Sequence, residues 1–117
     1  MTLVLVVEDE FLIRMNTVEM VEEAGYAALE AANADEAIGV LDRRDDIAIV
    51  FTDINMPGSM NGLELAEAIA DSWPHIRVVL TSGRFILRDE DLPDNDRFIL
   101  KPFDTGQIAN VLHDLAA

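Results

Sequence analysis

The chain has 117 residues, with 23 acidic against 8 basic side chains, a formal net charge of −15 and no cysteine. A domain of this size buries roughly two thirds of the surface its unfolded chain exposes, so it needs neither disulfide nor metal to fold. The missing thiols exclude disulfide frameworks, thiolate metal centres and cysteine nucleophiles. The charge opposes binding to nucleic acid, whose affinity comes from Lys and Arg on phosphate. Apolar runs of about five or six residues are far short of the roughly 20 that span a bilayer, so no membrane insertion is expected. The expectation is one cytoplasmic domain over residues 1–117.

Leu3 to Val7 is a continuous apolar run, the pattern of a strand covered on both faces. Phe11, Met15, Val18 and Val21 then step by four, three and three, which predicts a helix with that stripe against a sheet. After Gly25, Tyr26 to Ala31 reads as a weaker strand, and Asn33 with Glu36 has the spacing of a capping box that opens a second helix. Ile47 to Phe51 is the third strand. Leu63, Ala66, Ile69 and Ala70 mark a third helix that stops before Pro74. Val78 to Leu80 and Phe98 to Leu100 are the last two strands. Between Arg84 and Arg97 a proline and a dense acidic cluster predict one or two turns of helix and a mobile loop. Asp104 with Gln107 caps a final helix whose stripe is Ile108, Val111, Leu112 and Leu115. The alternation predicts an α/β fold, doubly wound, with a five-stranded parallel sheet, helices on both faces and a short fourth helix.

Ligands of open parallel sheets bind beyond the carboxyl ends of the strands. Those ends carry Glu8-Asp9-Glu10, Thr52-Asp53, Thr81-Ser82 and Lys101-Pro102. Carboxylates gathered there repel one another unless a cation sits among them, and an all-oxygen cluster suits Mg²⁺. A free carboxylate beside a metal, a cation and a hydroxyl is suited to phosphoryl transfer: Asp53 attacks in line, Lys101 neutralises phosphoryl oxygens and Thr81 hydrogen-bonds one of them. Lys101 is the only lysine in the chain, and its compact ammonium works as a point-charge phosphate ligand.

On these residues the sequence resembles the receiver domain of bacterial two-component response regulators, over essentially its whole length. The resemblance implies a flavodoxin-like (βα)5 fold. It also implies an acidic pair, Glu8 and Asp9, holding Mg²⁺ with the phosphoacceptor Asp53 in "TDINMPG" and the backbone carbonyl of Asn55. It assigns the strand-four hydroxyl to Thr81, the phosphate-binding lysine to Lys101, and a switch aromatic to Phe98, which turns inward when phosphate draws Thr81. Three departures stand out. The first acid is Glu8 where Asp is commoner, "MPGSMNG" is one residue longer than the family's Met-Pro-x-Met-x-Gly loop, and Gly83 leaves no side chain over the site.

The reading is a stand-alone receiver that takes phosphate from a sensor histidine kinase or a histidine phosphotransfer protein and signals by binding an unknown downstream protein. A Mg²⁺-dependent phosphatase is the rival from another class. It needs a second general acid, and Asn55, two after Asp53, cannot serve as one. A phosphorylation-independent interaction module is the third reading, and retention of the whole pocket speaks against it. His75 and His113 are read as ordinary surface or partly buried residues, and the acidic run from Asp89 to Asp96 as solvated.

Overall fold

A computed structural model describes residues 2–84, 87, 88, 90, 92 and 96–116. The elements run β1 (Leu3–Val7), α1 (Phe11–Glu23), β2 (Ala27–Ala31), α2 (Ala34–Arg43), β3 (Ile47–Asp53), α3 (Gly62–Ser72), β4 (Arg77–Ser82), β5 (Arg97–Leu100) and α4 (Thr105–Ala116). The strands form one sheet in the order β2-β1-β3-β4-β5, and every pair is parallel. This is the expected doubly wound α/β architecture. The short fourth helix expected between Arg84 and Arg97 falls on a stretch in which residues 85, 86, 89, 91 and 93–95 lie outside the described residues.

Strand alternation divides the core in two. Leu5, Val7, Val50, Val78 and Leu80 pack with Leu41 of α2 and Leu65, Ala66 and Ile69 of α3. Val4, Val6, Ile49, Phe51 and Val79 face the other way, onto Val21 of α1 and Ile108, Leu112 and Leu115 of α4. Phe51 meets Phe103 edge to face, with ring centroids 5.5 Å apart.

The helix termini follow the caps. Asn33 accepts from the Glu36 N–H at 2.9 Å, while the Glu36 carboxylate reaches past it to the Ala32 N–H at 3.0 Å. Asp104 and Gln107 form the full reciprocal box, both bonds at 2.9 Å. A further box, Asn61 with Glu64, opens α3. α1 ends where the Tyr26 N–H bonds Val21 O and the Gly25 N–H bonds Glu22 O, a Schellman turn that puts Gly25 at φ +99°.

Two expected faces are corrected. In α1, Phe11 is 54% and Met15 42% exposed, and the buried residues are Thr17 and Val21. Thr17 is tolerated there because its hydroxyl donates to the Ile13 carbonyl at 2.9 Å. In α3, Ala70 is exposed and Leu65 takes the buried place. In both helices the buried face coincides only in part with the most regular apolar stripe: Val21 of α1 and Ala66 and Ile69 of α3 keep their expected places.

Candidate functional site

Beyond the carboxyl ends of β1, β3, β4 and β5 four loops converge. The Glu8 N–H extends the β1–β2 ladder by donating to Ala31 O at 3.0 Å. One residue later the chain turns into α1, and the Glu8 carboxylate folds back so that Oε2 accepts the Glu10 N–H at 3.1 Å. A carboxylate is favoured at a helix N-terminus, where N–H groups lack intrahelical partners. The turn buries Glu8 and leaves Asp9 exposed.

Asp53 is the last residue of β3 and stands opposite Thr81 in the β3–β4 ladder. The ladder continues one step further, the Ile54 N–H donating to Thr81 O at 2.9 Å. Lys101 follows β5 and is tied by its own N–H to Ser82 O at 3.0 Å. Its peptide bond to Pro102 is cis. From there Lys101 Nζ reaches 3.1 Å from Glu8 Oε1 and 3.3 Å from Asp53 Oδ2. Glu8, Asp9 and Asp53 each offer a carboxylate oxygen, and these oxygens lie within 4.8 Å of one another.

Burial pushes the Glu8 carboxyl up, against the Glu10 N–H that stabilises the anion; a bond with Asp9 raises it further, and Lys101 opposes the rise. Burial alone would lower the Lys101 ammonium, but Asp53 and Glu8 together carry it above the ordinary lysine value. Lys101 is therefore a permanent cation, and one ammonium is shared by two carboxylates with a third alongside. Such an oxygen-rich, net-negative cluster can hold a hard divalent cation.

A second observation concerns the hydroxyl. Thr81 is 2% exposed, and its Oγ1 has no hydrogen-bond partner among the described residues. A buried unsatisfied hydroxyl costs on the order of 1–3 kcal/mol. Neighbouring Thr52 avoids that cost by donating to Asp53 O at 3.0 Å. Thr81 lies in a narrow crevice with Glu8, Asp53 and Lys101, so its free hydroxyl adjoins the ionic cluster. A donor without an acceptor, beside a cation-bearing carboxylate, fits a ligand that brings anionic oxygens.

The open part of the site is a cavity of about 300 Å³ lined by Asp9, Asp53, Asn55, Gly83, Arg84 and Lys101, among others. Asn55 is exposed at its rim, and its side chain donates to Ser82 Oγ at 3.3 Å. The same oxygen accepts the Arg84 N–H at 3.0 Å, so Ser82 ties the loops after β3 and β4 together. Among the described residues, a Cβ on Gly83 would touch only Lys101 Cβ, at 3.7 Å.

The structure thus brings Glu8, Asp9, Asp53, Asn55, Thr81 and Lys101 together. It leaves Phe98 apart: Phe98 pairs with Leu80 and packs into the α2–α3 side of the core, while Thr81 pairs with Ile99 on the α1–α4 side. Sequence reasoning missed Gly62. Its N–H donates to Ile54 O at 2.9 Å, and a Cβ there would collide with the Asp53 carbonyl oxygen and come 2.8 Å from Ile54 Cα. The Asn61-x-x-Glu64 spacing was the available signal for this tight start of α3. Arg14, which bonds Glu8 from α1, had no sequence signal.

The chain matches the response regulator receiver domain family over residues 4–113. It is 31% identical to the sensor kinase CckA of Brucella abortus across 96% of its own length, but spans only 12% of that protein. It is 31% identical to a chemotaxis protein CheY homologue of Campylobacter jejuni, covering 95% of this chain and 89% of the relative. Among solved structures it superposes on the response regulator TrrA of Thermotoga maritima, crystallised with Mg²⁺ and BeF, with a TM-score of 0.85 and 29% identity over 98% of this chain and 99% of that one. With an acidic pocket compatible with Mg²⁺ and aspartyl phosphorylation at the strand ends, and a match that spans nearly every residue, the chain belongs to the response regulator receiver domains of two-component signalling.

Proposed function

We propose that residues 1–117 form one receiver unit that accepts a phosphoryl group on Asp53 from the phosphohistidine of a sensor histidine kinase or histidine phosphotransfer protein. The observation that carries this reading is the meeting of three carboxylates with Lys101 and the partnerless Thr81 hydroxyl at the paired ends of β3 and β4. An Asp53 carboxylate oxygen attacks phosphorus, the P–N bond breaks, and the imidazole nitrogen leaves and takes a proton from solvent. Glu8, Asp9, Asp53 and the Asn55 backbone carbonyl would hold Mg²⁺, which when bound supplies positive charge against the phosphoryl oxygens.

Lys101 holds Asp53 in line beforehand and then shares its charge with the transferred group. Thr81 Oγ1 donates to a phosphoryl oxygen and so gains the partner it lacks. Its shift toward the phosphate moves the end of β4 against β5, Phe98 turns inward on the opposite face of the sheet, and the altered surface binds a downstream protein in the cytoplasm. The only chemistry is self-phosphorylation and hydrolysis of the acyl phosphate.

Intact-mass spectrometry after incubation with phosphoramidate tests the reading. One added phosphoryl group that requires Mg²⁺ and is absent from Asp53→Asn is the expected result. No modification by the small donor or by a histidine kinase would overturn it in favour of a phosphorylation-independent module.

A further inference from the structure

α1 carries a single cation, Arg14, on a helix otherwise dominated by acids and exposed apolar side chains. Its side chain is only 18% exposed, because it lies back along the sheet edge instead of extending into solvent. Nη1 donates to the backbone carbonyl of Glu8 at 2.8 Å, and Nε donates to Glu30 Oε1 of β2 at 3.0 Å. The guanidinium carbon lies 5.5 Å from the centroid of the Phe11 ring, which shields it on one side. The planar fork spans two acceptors on different elements, a task a lysine ammonium performs poorly.

The carbonyl it holds is that of the first acid in the pocket. Glu8 is fixed at every polar group: its N–H by Ala31 O, its carbonyl by Arg14, one carboxylate oxygen by the Glu10 N–H and the other by Lys101. Without Arg14 the carbonyl is unanchored at the point where the chain leaves the sheet, and the following peptide, which aims Asp9, is free to rotate. A glutamate in this place makes the anchor matter more, since its extra methylene adds a rotatable bond between backbone and carboxylate.

We propose that Arg14 is a positioning residue for the divalent-cation site, its Glu30-held guanidinium setting the turn that points the Glu8 and Asp9 carboxylates at Asp53. This rests on the Mg²⁺-binding reading of the pocket. The sign of the effect separates it from the alternatives. A cation bonded to a metal ligand repels Mg²⁺, so if Arg14 acted only through charge, removing it would tighten Mg²⁺ binding. If it only stabilised the fold, melting temperature would fall and the affinity of folded protein would not change.

Isothermal titration of Mg²⁺ at 15 °C into wild type, Arg14→Gln and Arg14→Lys, with circular dichroism confirming that each is folded, measures this. Both variants are expected to bind Mg²⁺ roughly tenfold more weakly, the size of effect typical of residues that orient metal ligands. The loss should persist in 0.5 M salt, where the Debye length falls to a few ångströms and charge effects between exposed groups fade. Arg14→Lys keeps the charge and the aliphatic stem, so it remains informative if Arg14→Gln does not fold. Unchanged or tighter binding in a folded variant overturns the inference and leaves the pocket reading standing. No Mg²⁺ binding by wild type overturns the pocket reading, and this inference with it.

Discussion

The two ends of the sheet each bury an acidic group, and they do so by opposite means. At the carboxyl end, Glu8 and Asp53 share the Lys101 ammonium at 3.1 and 3.3 Å in an ionic cluster that opens onto a cavity. At the amino end, Asp96 is 5% exposed just before β5, and its Oδ1 accepts the Val78 N–H at 3.0 Å. Around it lie the apolar Ala66, Ile69, Pro74, Ile76 and Val78, with the charges of Arg97 and Arg77 acting on it more weakly than burial does. The first arrangement leaves valences open, with a hydroxyl that has no partner among the described residues and three carboxylates around one ammonium. The second closes them, one acceptor meeting one orphan N–H at the start of a strand. A buried acid with spare capacity around it marks chemistry, and a buried acid that completes a backbone ladder marks structure.

The sharpest way to break that distinction is to empty each end in turn. Lys101→Met removes the ammonium paired with Asp53, and phosphorylation by phosphoramidate should slow by about 100-fold or more, the cost of losing one charge-stabilising donor from a preorganised site. Asp96→Asn should leave that rate at the wild-type value. Equal losses in the two variants, followed by mass spectrometry over time, would mean that the ends are not separable.

Gly62→Ala probes how firmly the pocket is built. The new methyl group meets backbone at Asp53 and Ile54, not the far end of a flexible side chain, so the start of α3 must move away from β3. A loss of about 2 kcal/mol in urea unfolding is expected, within the range for overpacking, together with slower phosphorylation because the displaced backbone carries Asp53. Loss of stability with no change in rate would show that α3 yields and the end of β3 does not.

How much of this was legible from sequence depends on whether a residue's environment is set by its neighbours in the chain. Asp53, Thr81 and Lys101 each lie one or two residues after an apolar run, so a parallel sheet must place them at one edge; their order along the chain sufficed. Glu8 and Asp9 follow β1 in the same way. The stripe of Phe11, Met15, Val18 and Val21 misled because helical spacing says which residues share a face, and not which face meets the sheet. Arg14, in the first turns of α1, is bonded to Glu8 just after β1 and to Glu30 of β2, contacts that no local spacing announces. Asp96 looked like the end of a solvated acidic run, since nothing local announces that the Val78 N–H, eighteen residues earlier, needs an acceptor. Phe98 occupies the motif position, and the register that pairs it with Leu80 exists only in the assembled sheet.

The Asp96 end carries a consequence in pH. Burial, the largest influence, outweighs the Val78 N–H and the two arginines and lifts the carboxyl from 3.8 to about 6. A folded-state value above the unfolded one means that the folded protein binds this proton more tightly. Its contribution to stability is therefore fully present below pH 4 and is lost as pH rises through 6. An asparagine in the same place keeps an oxygen for the Val78 N–H and carries no charge to desolvate. Asp96→Asn should accordingly be more stable than wild type at pH 8, by on the order of 1–2 kcal/mol, with the difference shrinking to near zero at pH 4. Urea unfolding of both proteins at several pH values isolates this group, because every other carboxylate titrates identically in the pair. A constant difference across that range would mean that Asp96 does not titrate there, and a variant less stable at pH 8 would mean that the charge strengthens the Val78 bond by more than its burial costs.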